Sequence, residues 1–195
     1  GRILDFDIGG GSFEFSTGTN ALPDAAMSVP LGAGRLTREF FDEQPPSPKQ
    51  VKRLRKYVRE QIAPVAENLL RYGAPDMTVG TSKTFRSLAR ICGAAPYSAG
   101  PYVKREMHLQ DLRLWTRRME AMTVSERSDL PGVSKARAEQ MLAGAIAAEA
   151  AMEAFGIETM RVCPWALREG LILKRIEHLA EGTGTPVNPK TLLVK

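Results

Sequence analysis

From Ile3 to Ile8 the chain alternates: Leu4, Phe6 and Ile8 fall on one side, Ile3, Asp5 and Asp7 on the other. A period of two predicts a β-strand with one buried face. Phe13 and Phe15 resume the alternation around Glu14, and the apolar run Ala25 to Val29 follows a turn at residues 20–24. The first thirty residues therefore predict a three-stranded antiparallel meander. Between its first two strands stand Gly9, Gly10, Gly11 and Ser12.

The period then changes. Ser47, Pro48 and Gln50 fit an N-cap, a first-turn proline and the third position of a capping box. The helix they open runs toward Tyr72, with Val51, Leu54, Val58, Ile62, Val65 and Leu69 on one stripe, a kink expected at Pro64 and a stop at Gly73. Lys49, Lys52, Arg53, Arg55, Lys56 and Arg59 share the opposite arc. Such an arc is either a solvated face or a track for a polyanion. Met77 to Val79 predicts a short strand that runs into Gly80-Thr81-Ser82-Lys83-Thr84, with a helix following through Phe85, Leu88 and Ile91. Residues 97–129 carry weak strand signals and then an amphipathic helix around Leu109, Leu112, Trp115 and Met119. A single small-residue helix is expected over 134–155, buried on all sides, then a strand over 159–163 and a closing helix over 166–179. The Gly, Thr and Pro after residue 181 predict a flexible tail, so the domain is expected over 1–180 and the tail over 181–195. No internal repeat is present.

At 195 residues, 43% hydrophobic and 25% charged, the chain suits one α/β domain with its own core. No apolar run is long enough to span a membrane. Cys92 and Cys163 are too few for a disulfide framework and sit among apolar residues, which predicts reduced core thiols in a cytoplasmic protein. The net charge of +5 favours anionic partners without choosing among nucleic acid, polyphosphate and phosphorylated metabolites. Residue 1 opens almost directly into a strand with no methionine, as expected of a piece of a longer protein.

A glycine turn lets backbone N–H groups approach a ligand, and several pointing inward make a nest for phosphate oxygens. Gly9 to Ser12 suit this. The dinucleotide fingerprint fails, because Glu14 stands where its third glycine belongs and a strand follows. The stretch from Gly80 to Thr84 has the composition of a Walker A loop but not its spacing, since Ser82 precedes Lys83. Asp7 and Glu14 would flank a phosphate held by the first turn. Two carboxylates beside a phosphate call for a cation between them, and Mg²⁺ takes one or two carboxylates together with phosphate oxygens. The plain alternative is a turn with an exposed acid on each side. His108 and His178 stand isolated and read as surface residues.

"DIGGGSFE" resembles the second phosphate-binding motif of the exopolyphosphatase and guanosine pentaphosphate phosphohydrolase family, within the superfamily of sugar kinases, actin and heat-shock ATPases. "VPLGAGRLTREF", "VGTSKTFRSLARICGA", "LPGVSKARAEQMLAGA" and "WALREGLI" agree in the same order, so the resemblance covers nearly the whole chain to about Ile176. "GTSKTFRSLAR" is similar to the actinobacterial branch. The resemblance implies an α/β, ribonuclease H-like (actin-like ATPase) lobe: a five-stranded mixed sheet with a three-strand meander followed by alternating helices and strands. It implies the second of two such lobes, because the Asp-x-Gly-Ser-Asn-Ser type motif of the first, with that lobe's catalytic glutamate, has no counterpart here.

The activity implied is Mg²⁺-dependent release of terminal phosphate from polyphosphate or guanosine pentaphosphate. Gly9, Gly10, Gly11 and Ser12 would hold the phosphate, and Asp7 and Glu14 would be the catalytic and metal-holding acids. Gly80, Thr81 and Ser82, candidate substrate-binding residues with Lys83 and Arg86, match the region where kinase and chaperone relatives bind adenosine. The family pairs two glycines there and this chain does not, which leaves Lys83 and Arg86 to a polyphosphate chain or to helix capping and surface roles. Arg168 and Glu169 match the family's LREG segment, as a positioning ion pair. Partners implied are the anionic substrate, the missing N-terminal lobe and a possible second copy, with no membrane and no specific nucleic acid.

Overall fold

In this computed structural model the meander is β1 (Ile3–Ile8), β2 (Phe13–Gly18) and β3 (Ala25–Val29). Leu4, Phe6, Ile8, Phe13 and Phe15 are buried, so the period of two has decided which face looks inward. Phe6 packs edge-on against Phe13, Phe15 and Phe155, while Phe13 and Phe15 stack on each other. This aromatic cluster fastens the meander to the helices on one side of the sheet.

Two crossovers follow. The first passes through α1 (Ala33–Phe40) and α2 (Pro48–Leu70) to β4 (Met77–Gly80), which lies parallel to β1. The second passes through α3 (Lys83–Ile91), a 3₁₀ turn at Tyr97–Ala99, β5 (Glu106–His108), α4 (Leu109–Glu120), α5 (Val124–Ser128), α6 (Lys135–Ala138) and α7 (Met141–Ala154). It ends in β6 (Thr159–Val162), parallel to β4. Sheet order is β3-β2-β1-β4-β6-β5.

The structure describes residues 1–165, 170–172, 175–176 and 179. Arg168, Glu169, His178 and the expected tail lie outside the described residues, as does most of the closing helix expected over 166–179. Residues Gly1–Pro164 form one compact unit, which holds the whole sheet, and Trp165–Lys195 form another. Among the described residues no helix is long and apolar enough to cross a membrane.

The ribonuclease H-like order is present, with six strands among the described residues in place of five. The sixth is β5, three residues long and antiparallel to β6 at the sheet's edge, with only Met107 buried. The helix expected over 134–155 is two, because Arg137 and Gln140 donate to carbonyls three residues back and tighten the chain into turns between α6 and α7. α7 is buried on every side from Met141 to Met152, as its small residues predict. α2 begins at the Ser47 capping box and continues through Pro64 to Leu70, and Gly73 follows at φ +112°.

The basic arc of α2 is divided by packing. Arg55 bonds Glu149 of α7 at 2.9 Å and Glu120 of α4 at 2.8 Å, Arg59 pairs with Glu153, and Arg53 lies over the Phe40 ring and donates to the Phe40 carbonyl. Three of the six cations thus join helices, whereas Lys49, Lys52 and Lys56 remain exposed. Arg127 is fully enclosed and forms no ion pair with a carboxylate among the described residues. It donates to the carbonyls of Met122, Ala138 and Glu139 and to Gln44 Oε1. Arg105, also buried, gathers the carbonyls of Ala95, Pro96, Gly100 and Val103. Cys92 and Cys163 are free thiols, half-buried, and burial pushes Cys92 up to about 12.

Candidate phosphate and cation site

The turn from Gly9 to Ser12 closes with the Gly9 N–H donating to the Ser12 carbonyl at 2.9 Å. Its other contacts come from α1. Ala33 N–H donates to Gly9 O at 3.0 Å and Arg35 N–H to Gly10 O at 2.9 Å, so the first turn of α1 holds two successive carbonyls of the loop. In a trans peptide the carbonyl and the following N–H point in opposite directions. The N–H groups of Gly10 and Gly11 are therefore aimed away from α1. Neither they nor the Ser12 N–H meets a protein acceptor among the described residues. Both glycines are exposed, and a Cβ on either would have nothing within 4 Å. The result is an open cradle of backbone donors, preset from behind.

α1 can approach this closely because residue 32 has no side chain. A Cβ at Gly32 would stand 2.3 to 2.4 Å from backbone atoms of Gly11 and Ser12. α3 braces the same region from the β4 side. Thr84 Oγ1 donates to Ile8 O at 3.0 Å, and Ser82 caps α3 by accepting from Phe85 N–H.

The two acids flank the cradle. Asp7 and Glu14 are directly opposed across the β1–β2 ladder, next to the Ile8–Phe13 pair that borders the turn, and both lie on the face away from the aromatic core. Thr81 Oγ1 lies 3.3 Å from Asp7 Oδ2, and Ser28 Oγ donates to Glu14 Oε1 at 3.1 Å. Burial lifts the Asp7 carboxyl above its ordinary range and Glu14 adds to this, while the Thr81 hydroxyl and the Arg86 guanidinium oppose it.

Gly9 to Ser12, Asp7, Glu14 and Thr81 are thus brought together, and Arg86 acts on Asp7 electrostatically. Arg86 also donates to Pro164 O at 3.4 Å, and Lys83 is exposed at the start of α3. Gly80 faces inward, where a Cβ would come within 2.7 Å of the Phe85 ring and 2.9 Å of Met160 sulfur. Its lack of a side chain serves packing rather than the cradle.

Asp5 is a site residue that the alternation placed on the acidic face without giving it a role. Its carboxyl is raised to about 6, first by burial and then by Asp7, and its Oδ1 has no partner among the described residues. An acid lifted on folding holds a proton in the native state that the unfolded chain has released, so the stability it contributes is present below its unfolded value of 3.8 and lost as pH rises through about 6. Asp5→Val should therefore exceed the native protein by roughly 2–3 kcal/mol at about pH 8, with the gap closing toward pH 4. Urea unfolding at the two pH values checks this; a gap independent of pH would refute it.

The donor set fits Mg²⁺ bound jointly with phosphate: two carboxylates beside backbone donors. It does not fit an all-protein cage, since among the described residues no three His, Cys, Asp or Glu side chains are grouped to hold a metal.

The signature of the Ppx/GppA phosphatase family matches residues 1–179. Exopolyphosphatase 1 of Mycobacterium leprae is 50% identical over 183 residues, covering 94% of this chain and 54% of that protein. Its counterpart in Mycobacterium tuberculosis is 51% identical over 183 residues, with 94% and 53% covered. The chain spans about half the length of these curated relatives. Among solved structures, an Aquifex aeolicus Ppx/GppA phosphatase superposes with a TM-score of 0.76 at 27% identity, over 89% of this chain and 57% of that one. Signature, relatives and the actin-like ATPase fold agree, and the chain belongs to the Ppx/GppA phosphatase family.

Proposed function

We propose that this chain is the second lobe of an exopolyphosphatase, holding the terminal phosphate of polyphosphate for hydrolysis by groups of an upstream lobe. The observation that carries the reading is the pair of Gly10 and Gly11 N–H groups turned outward by α1, beside two opposed carboxylates. The names of its relatives support polyphosphate as the substrate. Shallow clefts of about 560 and 570 Å³ in Gly1–Pro164 lie along α2 and α4, lined in part by Arg55 and Glu120, away from the turn. The second wall of the phosphate site is assigned to the upstream lobe.

In this mechanism the Gly10, Gly11 and Ser12 amides bind oxygens of the terminal phosphoryl group, whose charge they stabilise in the transition state. Asp7 and Glu14 would hold the cation and orient water. Mg²⁺, when bound, would neutralise phosphoryl oxygen charge. Water oxygen forms the new bond to phosphorus as the bond to the bridging oxygen breaks, and the water proton passes to a base of the upstream lobe. Arg86 and Lys83, in α3 beyond β4, would contact the rest of the anion.

The test is phosphate release from polyphosphate by this chain, and by the chain extended upstream through a first-lobe phosphate motif. Little turnover by the chain and full turnover by the extended protein is expected. Full turnover by the chain alone would refute the divided site. An extended protein that binds polyphosphate without turnover would make this a binding module.

A further inference from the structure

We infer that Thr81 and Ser28 are positioning residues, one for each acid of the cation site: the Thr81 hydroxyl fixes Asp7 from β4's end, and the Ser28 hydroxyl fixes Glu14 from β3. The inference rests on the reading of Asp7 and Glu14 as cation-holding groups. It gives Thr81 a role other than substrate contact and gives Ser28 one for the first time.

The geometry is that of two matched clamps. β1 and β2 carry the acids, and each has one further neighbour in the sheet, β4 beside β1 and β3 beside β2. Each of those neighbours supplies one hydroxyl. Ser28 is the ladder partner of Glu14 and reaches its Oε1 at 3.1 Å. Thr81 follows β4 directly, where its own N–H donates to Phe6 O at 3.0 Å; its Oγ1 lies nearest Asp7 Oδ2, at 3.3 Å, with Phe6 O at 3.5 Å and the Asp5 carboxyl also in its reach. One oxygen of each carboxylate is thereby engaged, and Asp7 Oδ1 and Glu14 Oε2, which bond no protein group among the described residues, are left for a cation. A carboxylate on a strand otherwise turns about its terminal torsion over a broad range. Holding one oxygen narrows that range before the ligand arrives, which is the service a supporting group gives to a metal-binding side chain.

Thr81 is half-buried and Ser28 exposed, so the Thr81 clamp is the stronger. Calorimetric titration of Mg²⁺ into the chain with saturating orthophosphate reads the effect directly. Thr81→Val should weaken Mg²⁺ binding about threefold to tenfold, the range set by one hydrogen bond. Thr81→Ser, which keeps the hydroxyl, should stay within about twofold, and Ser28→Ala should lose about twofold to threefold. Orthophosphate affinity without metal should not change, because the amide cradle is intact in all three. If the native chain binds Mg²⁺ and both Thr81→Val and Ser28→Ala bind it equally well, the clamps are refuted and the cation site stands. If the native chain binds orthophosphate but no Mg²⁺, the cation site and the clamps fall together. Should Thr81→Val not fold, Ser28→Ala on the exposed edge strand decides the outcome: unchanged Mg²⁺ binding there refutes the clamps.

Discussion

Gly32→Ala should abolish phosphate binding while leaving the chain folded. The added Cβ would stand 2.3 Å from the Gly11 carbonyl carbon and 2.4 Å from the Gly11 and Ser12 nitrogens. These are backbone atoms of a short turn, so no side-chain rotation relieves the overlap. Either α1 retreats, and the bonds from Ala33 and Arg35 N–H to Gly9 and Gly10 O stretch, or the turn rotates and its amides lose their common direction. Both outcomes dismantle the cradle. A loss of one preorganised donor is worth about 10²–10³ in rate, so a hundredfold fall in turnover of the extended protein is a minimum expectation. The stability cost should be about 1–3 kcal/mol, the range for overpacking a close contact. Orthophosphate titration and thermal unfolding of the chain check the two halves, and retained phosphate affinity would show that α1 does not preset the turn.

Asp7→Asn carries the second large effect. The substitution keeps size and removes the charge of the one acid of the pair beside the turn whose carboxyl is raised by burial. With Glu14 alone facing a cation, turnover by the extended protein should fall about hundredfold at fixed Mg²⁺, a loss near 2.7 kcal/mol of transition-state stabilisation. Glu14→Gln should cost at least about tenfold. Raising Mg²⁺ should recover part of each loss if the acids hold the cation. A rate unchanged in both variants would leave Asp7 and Glu14 as ordinary surface acids at a turn.

What the residues disclosed on their own depended on how many periods each element contains. α2 shows six apolar positions on one stripe and opens with a capping box in which Ser47 and Gln50 bond each other's backbone, so it was legible end to end. β1 and β2 were legible because every core-facing position is Leu, Phe or Ile up to Phe15. α1 was not legible. It spans two turns, Gly32 gives it no side-chain cap, and Ala33, Leu36 and Thr37 are all it buries. β5 has one buried residue and no alternation to read.

The same limit held at the site. Asp7, Glu14 and the glycines could be named from their order along the chain, whereas the direction of the amides depends on α1, more than twenty residues away. Asp5 was visible on the acidic face, but its burial was not. Arg55 and Arg59 read as part of a basic arc until α7 supplied Glu149 and Glu153 to meet them.

Arg127 has a consequence of a different kind. Among the described residues its guanidinium is hydrogen-bonded by carbonyl dipoles and one side-chain amide, drawn from the start of α5, the end of α6 and the connection between α1 and α2, with the Glu139 charge acting from farther off. None of these segments can open without stranding a permanent charge in a dry interior. In a hydrogen–deuterium exchange experiment their amides should therefore become labelled together, as one slow cooperative unit, although the chain between them is largely loop and short helix.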